Sequence, residues 1–176
     1  MMITTNIAEA AVSMAEAQAY ARVETGEEEA LLAGLIRTAS ALCEGFTGQV
    51  LVARPFEEVL AAGGQWQRLA LTPVRAIDEV AMLAADGSAT VLPAVEFEMD
   101  IDSRGDGWVR TPGGDKKIRV RGQAGIALDP NGVPEPLRQG ILRLIAHLFA
   151  TRDGSGGEPP AAVTALWRPY RRMRLA

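Results

Sequence analysis

The hydrophobic period of this chain changes twice, and that double change narrows the folds open to it. Across residues 27–46 the apolar side chains recur at helical spacing. Leu31, Leu35, Ala39, Leu42 and Phe46 share one face, Leu32, Ile36 and Cys43 widen it, and Arg37, Ser40 and Glu44 lie opposite. The spacing predicts a core-facing amphipathic helix whose first turn is acidic, which suits the helix dipole. After Gly48 the helical period gives way to short apolar runs at 50–62, 65–71, 77–85, 90–92, 95–101, 107–110 and 116–122. They are rich in strand formers and separated by turn residues such as Gly63-Gly64, Thr72-Pro73 and Asp86-Gly87. Asp86-Gly87 between two apolar runs is a hairpin signal, because glycine tolerates the positive φ of a tight turn. The helical period returns at residues 134–152, where Pro134 or Pro136 opens a helix and Leu137, Ile141, Leu144, Ile145 and Leu148 form one stripe. Ser13 followed by Glu16 is a capping box and predicts a short helix over 14–22. The expected class is α+β: a helical body with a small, mostly antiparallel sheet inserted in it.

A chain of 176 residues suffices for one domain with a core. The expected division is a single domain over 1–152, a spacer over 153–160 (DGSGGEPP) and a terminal segment over 161–176. One cysteine, Cys43, excludes an internal disulfide and a thiolate metal cluster, and its place on the apolar face makes it a core thiol. His147 is the only histidine and flanks an apolar stripe, so a structural role is expected of it. Glu96, Glu98, Asp100 and Asp102 alternate as residues of one strand face do, but Gly105 and Asp106 break the calcium-loop spacing and no glutamate closes it. Lys116, Lys117, Arg119 and Arg121 form a basic strand stripe that suits pairing with an acidic neighbour. No catalytic residue, metal site or cofactor is expected. No stretch approaches the roughly 18 apolar residues of a membrane span, and no signal-peptide pattern opens the chain, so residence in the cytoplasm is expected.

Charge is spread unevenly. The net charge is −4, which argues against general nucleic-acid binding. Residues 1–48 carry seven glutamates against Arg22 and Arg37, whereas the last nine residues carry Arg168, Arg171, Arg172 and Arg174 and no acid. An acidic head and a basic tail suit attraction between neighbouring copies. Trp167, Pro169 and Tyr170 stand among those arginines, and aromatics with arginines are the residue types enriched at binding hot spots. Composition leaves two readings of this segment open: a terminus folded back on its own domain, or a tethered docking device. The glycine-rich spacer favours docking.

The order of these features resembles the head–tail connector (adaptor) proteins of long-tailed phages and gene transfer agents. The resemblance rests on the opening SMAEAQAYARVETGEEEALLAGLIRTASALCEGFTGQVL, the run LALTPVRAIDEVAMLAADGSATVL, the short VRGQAGIA, and VPEPLRQGILRLIAHLFATRD ahead of ALWRPYRRMRL. It implies a non-enzymatic subunit, assembled in the bacterial cytoplasm, that forms a ring, commonly of twelve copies, beneath the portal ring at the head–tail junction. The ring extends the channel through which DNA passes without specific binding, and it carries a stopper or tail-terminator protein. By the same resemblance Trp167, Arg168, Pro169, Tyr170, Arg171, Arg172 and Arg174 dock on the portal. The two long helices, through Leu31, Leu35, Leu42, Phe46, Leu137, Ile141, Leu144, Ile145 and Leu148, pack the subunit and contact its neighbours. A DNA-packaging or DNA-binding accessory protein is the alternative reading, suggested by the arginine tail and the basic stripe.

Overall fold

A computed structural model describes residues 2–4 (backbone only), 9–23, 26, 28–114, 116–151 and 160–172. Among these the chain is α+β, with four α-helices and two antiparallel sheets. The helices are α1 (Met14–Ala21), α2 (Glu29–Thr47), α3 (Glu135–Ala150) and α4 (Ala161–Trp167). The strands are β1 (Met2–Thr4), β2 (Arg54–Ala61), β3 (Gln67–Arg68), β4 (Val74–Leu83), β5 (Ala89–Val91), β6 (Glu98–Ile101), β7 (Gly107–Arg110) and β8 (Lys117–Ala124). The chain divides into two compact units, one of Met1–Asn6 with Ala53–Ile126 and one of Ile7–Val52 with Ala127–Ala176. This differs from a single domain over 1–152 followed by an appendage, because residues 161–172 fall within the helical unit.

In the sheet unit, β8 is the central strand of a five-stranded sheet ordered β1-β2-β8-β4-β5. Its alternation is complete: Ile118, Val120, Gly122 and Ala124 are buried while Lys117, Arg119, Arg121 and Gln123 take the other face. Phe56 on β2 and Val74, Ile77 and Val80 on β4 bury beside them. The pairing of β4 with β8 shifts register twice, between Val74 and Ala76 and between Ile77 and Glu79. Gly122 lies at this irregularity, and a Cβ there would stand 2.2 Å from the Ala76 carbonyl oxygen and 2.9 Å from the Phe56 ring. Only glycine fits so close to the neighbouring backbone. The Asp86-Gly87 hairpin forms as expected, with Leu83 facing Ala89 and Gly87 at φ 85°.

Glu58 is a fully buried carboxylate on β2. It accepts hydrogen bonds from the Ala70 N–H at 2.9 and 3.2 Å, and so ties the loop before Pro73 to the sheet. A second carboxylate, Asp106, accepts from Arg68 at 2.7 Å and from the Thr72 hydroxyl at 3.1 Å. The smaller sheet, ordered β3-β7-β6, does not align the four alternating acids. Glu98 and Asp100 lie on β6, but Glu96 ends a 3-10 turn and Asp102 has left the strand. Asp102 instead accepts from the N–H groups of Arg104 and Asp106, as short side chains do in turns.

In the helical unit, Ser13 caps α1 as its spacing predicts. Its hydroxyl accepts from the Glu16 N–H at 3.2 Å, and its own N–H donates to the Glu16 carboxylate at 2.8 Å. The Arg138 guanidinium of α3 pairs with that same carboxylate. Donation from the Ser13 N–H, followed by the Ser13 hydroxyl and the Arg138 charge, holds the Glu16 pKa below its ordinary 4.5 against the opposing effect of burial. A pKa depressed in the folded state adds stability above the unfolded value, and that stability is lost as pH falls through the folded pKa. Glu16→Gln keeps the capping shape without the charge. Its urea midpoint is therefore expected to lie below that of the parent chain at pH 7, with the gap closing as pH drops below 4.5. A gap of constant size from pH 7 to pH 3 would show that the charge of Glu16 contributes nothing.

The core face of α2 departs from the predicted stripe. Leu32, Ile36, Ala39, Ser40, Cys43 and Thr47 are buried, whereas Leu31 and Leu42 are 40% and 49% exposed. The helix is turned toward the flank of the expected face that Leu32, Ile36 and Cys43 widen, and Ala39 is common to both. The cause is that two apolar stripes run along α2 side by side, and the one containing Leu32 and Ile36 takes the seat against the other helices. Ser40, expected on the solvent face, is inside. On α3 the stripe holds, with Leu137, Ile141, Leu144 and Ile145 buried and Leu148 half-buried.

Candidate functional site

Pro160 precedes α4, which continues through a 3-10 turn at Arg168–Tyr170. The segment does not project from the helical unit; it is seated on it. Trp167 is 3% exposed, and its indole N–H donates to the Leu137 carbonyl at 3.2 Å. Its ring meets Phe46 of α2 at a centroid distance of 5.9 Å. The space for the indole exists because α3 carries glycine at position 140: a Cβ there would stand 2.1 Å from Trp167 Nε1. The helix α2 supplies further grips. Gln49, just past its end, donates to the Tyr170 carbonyl at 2.6 Å, the Arg172 N–H donates to the Thr47 carbonyl at 2.8 Å, and the Arg171 guanidinium stacks on Phe46 at 5.5 Å.

The proposed docking residues therefore divide. Trp167 faces inward and cannot touch a partner without leaving its seat, and Tyr170 and Arg172 are half-buried. Arg168, Pro169 and Arg171 are exposed on the outer side. Arg174, the spacer 153–159 and Arg152 lie outside the described residues. Gly140 was not singled out from sequence, although a signal exists: it falls three residues after Leu137 and four before Leu144, on the apolar stripe itself. A residue with no side chain at such a position leaves room for a large neighbour.

The basic stripe of β8 is engaged within the sheet. Arg121 donates to Glu57 at 2.8 Å and Arg119 to Glu79 at 2.9 Å, so its acidic partners sit on β2 and β4 rather than in the 96–102 segment. Cys43 is fully buried, and burial, with Glu44 adding to it, pushes its thiol far above the ordinary value. His147 is half-buried on α3. Among the described residues no three His, Cys, Asp or Glu side chains are grouped to hold a metal, and no helix is long and apolar enough to cross a membrane. A cleft of about 280 Å³ in the sheet unit is lined by Val95, Phe97, Glu98, Arg110, Thr111 and Pro112 among others. There Arg110 is paired with Glu98 and stacked on Trp66 at 5.2 Å.

No protein-family model matches the chain, and no curated protein matches it. Solved structures do. A chain from the neck of an empty gene transfer agent particle with C6 symmetry superposes with a TM-score of 0.82 and 26% identity, covering 100% of this chain and 98% of that one. A chain from the virion of a native gene transfer agent particle gives 0.80 and 25%, and one from the neck of the native particle with C12 symmetry gives 0.80 and 24%, with the same coverage. The fold of this chain, through both units and the terminal segment, is that of a protein found in the neck of a gene transfer agent particle.

Proposed function

We propose that this chain is a structural subunit of the neck of a phage-like particle, a head–tail connector that assembles as a ring under the portal. One observation carries the reading: the likeness to a neck chain at 26% identity extends over essentially the whole length of both chains. A ring of twelve copies accords with the C12 and C6 symmetry with which the necks containing its structural neighbours were computed. The ring lines the DNA channel and presents its other end to a stopper or tail-terminator protein. An acidic protein suits a channel that must let phosphates slide. Arg119 and Arg121, which a DNA-binding accessory protein would use, are committed to Glu57 and Glu79.

In this reading Arg168, Pro169, Arg171 and Arg174 reach the portal, while Trp167 anchors the segment that carries them. The double variant Arg168→Glu/Arg171→Glu is expected to keep the parent circular dichroism and to lower the thermal midpoint only slightly, by the loss of the Arg171 stacking on Phe46. Its attachment to portal rings in a co-sedimentation assay should be weaker by about tenfold or more, since modest losses per copy multiply around a ring. Undiminished attachment of this variant overturns the role of the arginines. Failure of the parent chain to attach at all overturns the connector reading.

A further inference from the structure

The exposed apolar side chains of the sheet unit gather on one short stretch. Val91 ends β5, Val95 stands in the 3-10 turn before β6, and Met99 and Ile101 lie on β6; Val95 is 93% and Met99 53% exposed. The strand β6 is the last of its sheet, so one of its edges is unpaired. Natural sheets guard such edges, and β6 does so with charge: Glu98 and Asp100 alternate with the two apolar residues, and all four are exposed.

The register fixes what this edge offers. The Asp102 N–H donates to the Asp106 carbonyl at 3.0 Å, and on the other side of β7 the Leu69 N–H donates to the Gly107 carbonyl at 2.8 Å. Antiparallel pairs alternate between bonded and unbonded. Glu98 opposite Arg110 and Asp100 opposite Trp108 therefore turn their backbone groups toward β7, whereas Met99 and Ile101 turn theirs to the open edge. Side chains follow the same alternation. Met99 stands opposite the fully buried Val109 and flanks the apolar face, while Glu98 and Asp100 take the other face.

A strand laid along this edge is thereby specified. It exchanges hydrogen bonds with the Met99 and Ile101 backbone, sets aliphatic side chains beside theirs and sets basic side chains beside Glu98 and Asp100. A second copy cannot supply it through its own β6, because acid would then face acid. Residues 172–175 of this chain alternate in the required way, but Arg172 is tied to Thr47 and Arg174 is assigned to the portal above, which leaves a separate protein as the occupant. The cleft lined by Val95, Phe97 and Glu98 opens at the start of the strand and lengthens the apolar landing. We infer that the open edge of β6 takes up, by strand addition, an extended segment of a partner protein in which arginine or lysine alternates with aliphatic residues. This surface stands on the edge alone, so failure of the connector reading leaves it intact.

The full chain is titrated with an end-capped peptide of alternating arginine and valine, with a block peptide of the same composition as control, and amide exchange is followed by nuclear magnetic resonance. The alternating peptide is expected to protect the Met99 and Ile101 N–H groups and to bind at least about tenfold more tightly than the block peptide. Met99→Pro removes a donor that points away from β7, a change that an edge strand tolerates. The thermal midpoint should therefore hold while peptide affinity falls by about tenfold or more. Asp100→Lys is expected to shift the preference toward a peptide of alternating glutamate and valine, and it serves where the proline variant fails to fold. Equal binding of the alternating and block peptides, or no protection at Met99 and Ile101, overturns strand addition. An unchanged preference in Asp100→Lys overturns the basic character of the segment. Self-association of the parent chain that is abolished both by Asp100→Lys and by deletion of residues 173–176 gives the edge to the tail of a second copy and overturns the separate partner.

Discussion

Trp167→Ala is expected to destabilise the helical unit by about 3–5 kcal/mol, the cost of emptying a large aromatic seat in a core. The indole is 3% exposed, donates to the Leu137 carbonyl and meets Phe46, so truncation removes packing and a hydrogen bond together. Gly140→Val reaches the same result from the opposite wall, because its Cβ would overlap the indole at 2.1 Å. Both changes expel the same ring, so the double variant should cost clearly less than the sum of the two. Urea unfolding followed by far-ultraviolet circular dichroism measures all three. Hydrogen exchange over residues 161–170 should rise in each, because the segment loses its anchor. A Trp167→Ala chain as stable as the parent, with exchange unchanged, would mean that the tail is held by its backbone contacts alone.

Gly122→Val should have an effect of similar or larger size on the sheet unit, about 3 kcal/mol or more. The obstacle is the Ala76 carbonyl oxygen, 2.2 Å from the added Cβ, and a backbone atom in a paired strand cannot swing aside as a side chain does. The residue also sits on the central strand, where β8 pairs with β2 on one side and β4 on the other. Gly122→Ala should already lower the thermal midpoint, and Gly122→Val should lower soluble yield as well. A midpoint within a degree of the parent for both would require the register shift near Ala76 to relax without cost.

Much of this arrangement is legible in the sequence wherever a local rule decides the outcome. The Ser13 and Glu16 cap, the Asp86-Gly87 hairpin and the Leu137–Ile141–Leu144 stripe each depend on residues close in the chain, and each forms. The failures come where two local solutions compete or where a distant element decides. On α2 both apolar stripes satisfy helical periodicity, and only the other helices choose the one with Leu32 and Ile36. The alternating acids at 96–102 satisfy the strand period, but a 3-10 turn at Ala94–Glu96 and the turn at Asp102 cut the strand at both ends. Composition leaves the terminal segment open between a folded-back terminus and a docking device, and neither it nor the glycine-rich spacer reveals a seat on a helix 27 residues earlier at Gly140. For the outward residues Arg168, Pro169 and Arg171 the docking role is a proposal that the portal assay tests.

The chain leaves the helical unit after Val52 and re-enters it at Ala127, and these two residues pair side by side, with the Ala127 N–H donating to the Leu51 carbonyl at 3.1 Å. Exit and entrance are thus neighbours, and the intervening strands form one long excursion from a closed doorway. During synthesis α1 and α2 emerge first but lack α3 and the Trp167 segment, so their apolar faces stay uncovered until the whole excursion has been made. The sheet waits as well, since β2 and β4 both pair with β8 at residues 117–124, and the helical core is completed later still, once α3 and the Trp167 segment are made. A loop of the excursion can therefore lengthen without moving the two ends at which the chain leaves and rejoins the helices.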